Sequence, residues 1–267
     1  MLITQKNLDI LGERGEKIPA IYISGKPENV TVIMAHGLQG SKNEYLDTQA
    51  RIAEKLEDHG IGTLRIDFCG HGDSERSLKD FSLQSQISDM VAAIEWLKNE
   101  KNVDSIITLG ISFGAPPAIV CAEIFKKIVK KCILIAPVTD YDLTFIHPIT
   151  SWGKEKFGYE KIIKGIQAER LKIDTDYFLY RNVLVEMLIT DIPQFVKNTS
   201  FNLSIFHGKC DNMVPIVSSR NLTLLRKDIE LIELDNTEHG LTEVGDENFI
   251  NDVTSENLNR VINEILN

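Results

Sequence analysis

Three side chains that could together cleave an ester or an amide are spread along the chain: Ser112, Asp211 and His239. A serine hydroxyl is a poor nucleophile at its own pKa and needs a base within hydrogen-bonding reach. His239 could take the proton from Ser112 and return it to the leaving group, while Asp211 could fix the imidazole tautomer and stabilise the imidazolium. This chemistry is acyl transfer through an acyl-Ser112 intermediate.

Ser112 lies at the centre of a Gly-Ile-Ser-Phe-Gly sequence at residues 110–114, the only Gly-x-Ser-x-Gly of the chain. An apolar run at 105–109 leads into it and a small-residue stretch at 115–122 leads out, which predicts a strand, a sharp turn and a helix. Glycines are needed on both sides because side chains flanking so tight a turn would clash. The turn would expose the Ser112 hydroxyl at a helix N-terminus, where the helix dipole favours a developing negative charge.

The oxyanion that forms during acyl transfer needs two backbone N–H donors. One expected donor is Phe113, the residue after the predicted nucleophile. The other is Leu38, in the loop at residues 36–40 that follows an apolar run at 30–35. We therefore predict an oxyanion hole formed by the amides of Leu38 and Phe113.

Strands and helices alternate on both sides of the predicted nucleophile. Residues 2–24 are patterned as a hairpin with a turn at 12–16, and residues 30–136 then read as strand and helix in turn. Ser41 and Glu44 have capping-box spacing, which predicts a helix running through Leu56 and stopping at Gly60. The pattern indicates an α/β fold with a mostly parallel sheet and helices on both faces. Loops at the carboxyl ends of parallel strands meet at one edge, so distant catalytic residues can come together there.

The alternation stops at residues 137–195, called here the inserted segment. It carries many aromatic residues in a charged background, is patterned as partly helical, and has no clear strand. We predict a core domain formed by residues 1–136 and 196–267, with the inserted segment as a small, mostly helical cap over the site. The alternative is a surface excursion whose aromatic side chains only pack on the body of the protein.

Five short motifs distributed over the chain carry a family resemblance. They are His36-Gly37, Arg-Ile-Asp-Phe-Cys-Gly-His-Gly-Asp-Ser at 65–74, the sequence at 110–114, His-Gly-Lys-Cys-Asp at 207–211 followed by Val214-Pro215, and Glu238-His239-Gly240. Together they resemble the α/β-hydrolase superfamily, in particular its small esterases, including bacterial cinnamoyl (feruloyl) esterases and monoacylglycerol-lipase-like enzymes. The resemblance implies a serine hydrolase of small to medium acyl or aryl esters, with no metal or organic cofactor. Ile111 departs from the histidine that those esterases usually have before the serine.

Four further residues are candidates for roles in the site. Asp140 is the alternative acid partner of the histidine, because some hydrolases place the acid after the preceding strand, but the turn around Asp211 matches the motif better. His36 is interpreted as a loop-packing residue, with a substrate contact as its alternative role. Asp140, Asp142 and Tyr177 of the inserted segment are candidate polar contacts for a phenolic substrate.

The overall charge excludes some partners. With 29 Lys and Arg against 39 Asp and Glu, the net charge of −10 argues against nucleic acid and against an anionic membrane surface. Residues 1–7 do not have the pattern of a signal peptide, and glycines and prolines interrupt the uncharged stretch at 105–122. The four cysteines have no Cys-x-x-Cys spacing and are expected to be reduced thiols in a cytoplasmic protein. The expected partner is a small-molecule ester, and the sequence leaves open whether the protein forms a homodimer.

Two kinds of alternative function remain at this point. The same three residues could serve a thioesterase, an amidase or peptidase, or an acyltransferase. A non-hydrolytic ligand receptor on the same fold is the alternative of another class, and the complete set of Ser112, Asp211 and His239 argues against it.

Overall fold

A computed structural model describes residues 5–26 and 30–267. Residues 2–4 of the predicted hairpin, and the last part of a loop predicted at residues 25–29, lie outside the described residues. Within the described part of the chain, no helix is both long and apolar enough to cross a bilayer. Nor does that part contain a group of three or more His, Cys, Asp or Glu side chains arranged to hold a metal ion.

The described residues form ten strands and nine α-helices, which alternate through most of the chain. The strands are β1 (Gln5–Leu11), β2 (Lys17–Ile23), β3 (Thr31–Ala35), β4 (Gly62–Ile66), β5 (Ile106–Ile111), β6 (Val129–Ile135), β7 (Arg170–Lys172), β8 (Phe178–Tyr180), β9 (Asn202–Gly208) and β10 (Glu230–Leu234). The helices are α1 (Thr48–Asp58), α2 (Leu83–Lys101), α3 (Ala115–Ile124), α4 (Ser151–Lys156), α5 (Tyr159–Gln167), α6 (Arg181–Ile189), α7 (Ile192–Lys197), α8 (Ile216–Leu225) and α9 (Asp252–Leu266).

Eight strands form one sheet in the order β1-β2-β4-β3-β5-β6-β9-β10. The hairpin β1–β2 and the β2–β4 pair are antiparallel, and every other neighbouring pair in this sheet is parallel. Strand β5 therefore lies near the middle, with β3 and β6 on either side. The prediction of an α/β fold with a mostly parallel sheet is confirmed.

Apolar side chains cover both faces of the sheet. Helices α2, α3 and α8 pack on one face, where Ile33 and Leu134 point, and helices α1 and α9 pack on the other, where Met34 and Ile133 point. Alternate residues of one strand thus belong to different cores, as the two-residue period of a strand requires. This arrangement explains why β3 and β5 are mostly apolar and buried at every position.

Helix α1 begins later than its sequence pattern predicts. The capping box expected at Ser41 and Glu44 does not start it, and α1 begins at Thr48 after a short 3-10 turn at Tyr45–Asp47. The physical reason is that the Glu44 carboxylate accepts the N–H groups of Gly37 and Tyr45 and does not serve the helix. The predicted end is correct, because Gly60 follows the helix with a φ of 72°.

The inserted segment lies between β6 and β9 in the chain and holds helices α4 to α6 and most of α7. The expectation that it contains no strand is wrong, because β7 and β8 form a two-stranded antiparallel sheet. Each strand is only three residues long, too short for alternation of apolar and polar residues to be visible in the sequence. The N–H groups of Ile173 and Asp174 both donate to the carbonyl of Tyr177, which closes the turn between the two strands.

Candidate active site

The turn around Ser112 is fixed by the absence of space for side chains on its two glycines. Ser112 follows β5 with a φ of 52°, a conformation that is strained for a residue other than glycine. A Cβ on Gly110 would lie 2.5 Å from the carbonyl oxygen of Gly114, and a Cβ on Gly114 would lie 2.2 Å from that of Ala35. The chain therefore makes the sharp strand-to-helix turn that the Gly-x-Ser-x-Gly sequence predicts.

The three residues predicted to do the chemistry lie together. The hydroxyl oxygen of Ser112 is 3.0 Å from Nε2 of His239, and Nδ1 of His239 is 2.8 Å from Oδ2 of Asp211. They follow β5, β9 and β10, whose carboxyl ends lie at the same edge of the sheet. The alternative acid, Asp140, does not take part, since its carboxylate caps the N–H of Leu143.

Several neighbouring groups stabilise the negative charge of Asp211. Its Oδ1 accepts the N–H groups of Met213 and Val214 at 2.8 and 2.9 Å, and its side chain is fully buried. Burial favours the neutral acid, but His239 and His207 outweigh burial and hold the pKa of Asp211 below its usual range. The carboxylate is therefore ionised where it meets His239.

The pKa of His239 moves in the opposite direction. Burial alone would lower it, yet the Asp211 carboxylate outweighs burial and raises the pKa above its ordinary value, with a smaller contribution from Glu44. A base whose protonated form is stabilised in this way is suited to accept the proton of a serine hydroxyl.

The loop that carries His239 is anchored to helix α9. The side-chain amide of Asn257 donates to Thr237 Oγ1 and to the carbonyl of Leu241, at 2.8 and 3.0 Å. Thr254 accepts the N–H of Glu243 and donates to Asp246. Two residues of α9 therefore hold the chain on both sides of the imidazole.

Residues 36–40, called here the β3 loop, pass directly beside Ser112. A Cβ on Gly37 would lie 3.1 Å from Cβ and 3.5 Å from Oγ of Ser112, so a larger residue there would press on the Ser112 side chain. The N–H of Gly37 donates to Glu44 at 2.6 Å, and the N–H of Gly40 donates to the carbonyl of Gly37. No described residue accepts the N–H of Leu38, which is the amide predicted to bind an oxyanion.

His36 holds the β3 loop from within, and its ring is not positioned to contact a substrate in the cavity above Ser112. The ring is fully buried and does not line the cavity above Ser112. Its Nε2 accepts the N–H of Phe68, so the proton is on Nδ1, which donates to the carbonyl of Gly37 at 2.7 Å. Burial and the neighbouring His71 lower the pKa of His36 to about 3, so the ring stays neutral. The peptide that ends in the N–H of Leu38 is thereby oriented by a neutral imidazole.

A cavity of about 660 Å³ opens above Ser112 and His239. The β3 loop lines one side of it, and the inserted segment contributes much of the rest. Its main apolar lining residues are Val138, Phe145, Trp152, Ile173, Met213 and Val214. Charged lining residues are Glu44, Lys156, Asp174 and Glu238. A mostly apolar pocket with a few polar groups is the usual form of a small-molecule site.

Of the polar residues proposed as substrate contacts in the inserted segment, only Tyr177 lines this cavity. Asp142 points to solvent, where it pairs with the exposed His147 at 2.7 Å, and Asp140 caps the turn that follows it. Neither Asp140 nor Asp142 is therefore positioned to contact a substrate in this cavity. Both side chains bind to residues close by in the sequence. A single sequence does not distinguish such local contacts from a position in the lining of a pocket.

Sequence analysis missed Glu44 as a member of the site. Its carboxylate lines the cavity, supports the β3 loop through the Gly37 N–H, and acts electrostatically on His239. Burial raises the pKa of Glu44, while its hydrogen bonds to backbone N–H groups oppose that rise. Its spacing from Ser41 predicts a helix cap, and nothing in the sequence indicates that its carboxylate contacts Gly37, seven residues earlier.

The fold and the arrangement of the site define a class of protein. A sequence model of the family described as alpha/beta hydrolase fold matches residues 30–201, well over half of the chain. The protein belongs to the α/β-hydrolase family.

Solved structures with the same fold cover nearly the whole chain. Est1E from Butyrivibrio proteoclasticus, in a structure with ferulic acid bound, superposes with a TM-score of 0.77 at 22% identity over 97% of this chain and 100% of that one. The Pyrococcus furiosus esterase Pf2001 gives 0.69 at 20% identity over 99% of this chain and 92% of that one. The α/β hydrolase GrgF from Penicillium sp. sh18 gives 0.76 at 18% identity over 98% of both. At these identities the likeness is one of fold.

A curated relative matches a shorter stretch. Protein phosphatase methylesterase 1 from Candida albicans is 23% identical over 128 residues, which is 48% of this chain and 34% of that protein. The matched stretch therefore spans about a third of the relative's length.

Proposed function

We propose that the protein is a serine esterase that cleaves carboxylic esters through an acyl-Ser112 intermediate. The observation that carries the proposal is the continuous set of contacts from Ser112 Oγ to His239 Nε2 at 3.0 Å and from His239 Nδ1 to Asp211 at 2.8 Å, at the floor of an apolar cavity. Membership of the α/β-hydrolase family, and structural likeness to two esterases, support it.

In the acylation step, His239 removes the Ser112 proton as Oγ attacks the ester carbonyl carbon. The carbonyl oxygen becomes negatively charged and accepts the N–H groups of Leu38 and Phe113. As the carbon–oxygen bond breaks, the His239 imidazolium gives its proton to the alcohol that leaves. Asp211 stabilises that imidazolium, and its buried, ionised carboxylate is suited to this task.

In the deacylation step, water takes the place of the alcohol. His239 removes a proton from the water, which attacks the acyl carbon, and the same two N–H groups stabilise the second oxyanion. Collapse of that intermediate frees the carboxylic acid and returns the proton to Ser112. The acid and the alcohol that are released account for all atoms of the ester and of the water, and these steps use no cofactor.

The cavity favours esters of small to medium acyl or aryl acids. Phe145, Trp152 and Ile173 offer apolar and aromatic surfaces above Ser112. Est1E, whose fold this chain shares, has been solved with ferulic acid bound, so aryl esters of that type belong among the substrates to test first.

We further propose that the inserted segment, residues 137–195, is a cap on a core formed by residues 1–136 and 196–267. In support, Val138, Phe145, Trp152, Lys156, Ile173 and Tyr177 all line the cavity. The predicted role of the segment is to exclude water and to select the acyl or aryl group.

The test is hydrolysis of p-nitrophenyl esters from C2 to C12 and of methyl ferulate, by the wild type and by Ser112→Ala. We expect turnover by the wild type and a fall of at least about 10⁴-fold in the variant, because the nucleophile is gone. The chain-length and ferulate preference would then describe the cavity.

Matched thioesters and aminoacyl anilides in the same assay separate the rivals. Faster turnover of either of these would replace the esterase assignment with a thioesterase or an amidase. If Ser112 becomes acylated without turnover of any substrate, a ligand receptor is the better description.

A further inference from the structure

The hydroxyl of Tyr177 connects the inserted segment to the loops beneath it. It lies 2.8 Å from Nε2 of His71, which follows β4, and the two rings are 5.8 Å apart. Nδ1 of His71 is 3.0 Å from the carbonyl of Cys69. A carbonyl only accepts, so the His71 proton is on Nδ1 and Nε2 is an acceptor. Tyr177 is therefore the donor in the bond to His71.

The Tyr177 phenol keeps its proton, because burial raises the pKa of Tyr177 well above its ordinary value. That proton is committed to His71. A phenolic substrate could not receive a proton from Tyr177 unless this network opened.

His71 connects Tyr177 to the β3 loop through a second imidazole. The His71 ring packs on the ring of His36, and both side chains are buried. Nδ1 of His36 donates to the carbonyl of Gly37 at 2.7 Å, and that carbonyl belongs to the same peptide as the N–H of Leu38, the proposed oxyanion donor. Tyr177 therefore supports this peptide through His71 and His36.

The hairpin that presents Tyr177 is itself well fixed. Its own carbonyl accepts the N–H groups of Ile173 and Asp174 at 3.0 and 3.2 Å, and β7 and β8 pair on either side of the turn. The His71 ring in turn packs on those of Phe81 and His36, at 4.6 and 5.3 Å. The hydroxyl therefore connects two ordered bodies, the hairpin of the inserted segment and the paired loops after β3 and β4.

We propose that Tyr177 is a positioning residue for the oxyanion hole: by donating to His71, whose ring packs on His36, it holds the β3 loop with the Leu38 N–H aimed at the reacting carbonyl. The inference rests on the proposed esterase function. It makes the docked inserted segment a requirement for fast acyl transfer, in addition to any part in binding the substrate.

The test is Tyr177→Phe, with Tyr180→Phe as the matched control in the same hairpin, assayed on ethyl acetate by titration of the acid released. Neither the acyl group nor the alcohol of this ester offers a hydroxyl or an aryl ring for Tyr177 to bind, so a change reports on the loop. We expect kcat to fall about tenfold in Tyr177→Phe with KM within twofold, the signature of an interaction that matters only in the transition state. Tyr180→Phe should stay within twofold of the wild type in both constants.

A double-variant cycle with His71→Asn adds a second readout. Because Tyr177 and His71 form one support, the double variant should lose no more kcat than the more damaged single variant. Losses that multiply would overturn the proposal. So would an unchanged kcat in Tyr177→Phe, or a rise in KM confined to aryl esters, which would make Tyr177 a substrate contact.

The esterase assignment is judged separately by the wild type and Ser112→Ala. If the wild type cleaves esters and Ser112→Ala does not, a negative result for Tyr177 rejects the positioning role alone. If the wild type cleaves none of the esters, the proposed function fails and the inference about Tyr177 falls with it.

Discussion

The turn around Ser112 and the β3 loop face each other across the site, yet they are held by different forces. The Ser112 turn is fixed by sterics, because its two flanking glycines touch backbone atoms with no room for a Cβ. The β3 loop is fixed mainly by the hydrogen bonds that His36 and Glu44 make to Gly37, with Tyr177 of the inserted segment supporting His36 through His71. One added carbon atom should therefore disrupt the Ser112 turn, whereas the loss of one hydrogen bond should only partly loosen the β3 loop.

The largest expected effect is on the steric side of this comparison. Gly114→Ala would bring a Cβ to 2.2 Å from the carbonyl oxygen of Ala35, in the middle of the sheet. We expect a loss of at least about 3 kcal/mol in the free energy of unfolding, because overpacked backbone cannot move away cheaply. Urea denaturation measures it. Gly15→Ala is the control, because Gly15 has a φ of 80° but open space around it. This substitution should lower the free energy of unfolding by only about 1 kcal/mol.

Gly37→Ala tests the point where the two regions touch. The new Cβ would lie 3.1 Å from Cβ of Ser112, so the β3 loop must move by a few tenths of an ångström. We expect kcat on p-nitrophenyl acetate to fall between about tenfold and a hundredfold, because an oxyanion donor is displaced, with the midpoint of urea unfolding close to that of the wild type. Full activity would show that the β3 loop does not contribute a donor.

The smallest expected effect is electrostatic and concerns Glu44. In the wild type, activity requires neutral His239, whose pKa is raised, so kcat/KM should fall as the pH drops through a midpoint above the ordinary histidine value of about 6.5. Glu44→Gln keeps an oxygen to accept the Gly37 N–H but removes a negative charge near His239. The midpoint of the acid limb should therefore move to lower pH, with kcat at pH 8 within a few-fold of the wild type.

Glu44→Ala sharpens the same comparison by removing the hydrogen bond as well. It should reduce kcat further than Glu44→Gln while giving a similar midpoint. Equal kcat values in the two variants would mean that the β3 loop does not depend on Glu44, and an unmoved midpoint in both would remove its electrostatic role.

The parts of the molecule that sequence reasoning predicted well are those with local signals. The apolar runs that became β3, β5 and β6 are buried on both faces, and the order of Ser112, Asp211 and His239 placed three turns at one edge of a parallel sheet. These features follow from periodicity and from the convergence of parallel strands.

What could not be predicted depends on contacts between distant segments. Glu44 has the spacing of a helix cap, and only the close approach of Gly37 gives its carboxylate a different partner. The β7–β8 hairpin is too short to be read from alternation. Tyr177 meets His71 across 106 positions of sequence. A single sequence carries no signal for pairs of this kind, because neither residue has an unusual neighbourhood of its own.

The anchoring of the His239 loop to helix α9 has a consequence for how the protein would lose activity. Ser112 and Asp211 follow strands in the interior of the sheet, whereas His239 follows the edge strand β10 and depends on Asn257 and Thr254 of a surface helix. Local opening of α9 would release the base while the sheet stays intact. In mild denaturant, enzymatic inactivation should therefore precede global unfolding. The rate of amide hydrogen exchange in α9 should rise at the same denaturant concentration as the inactivation.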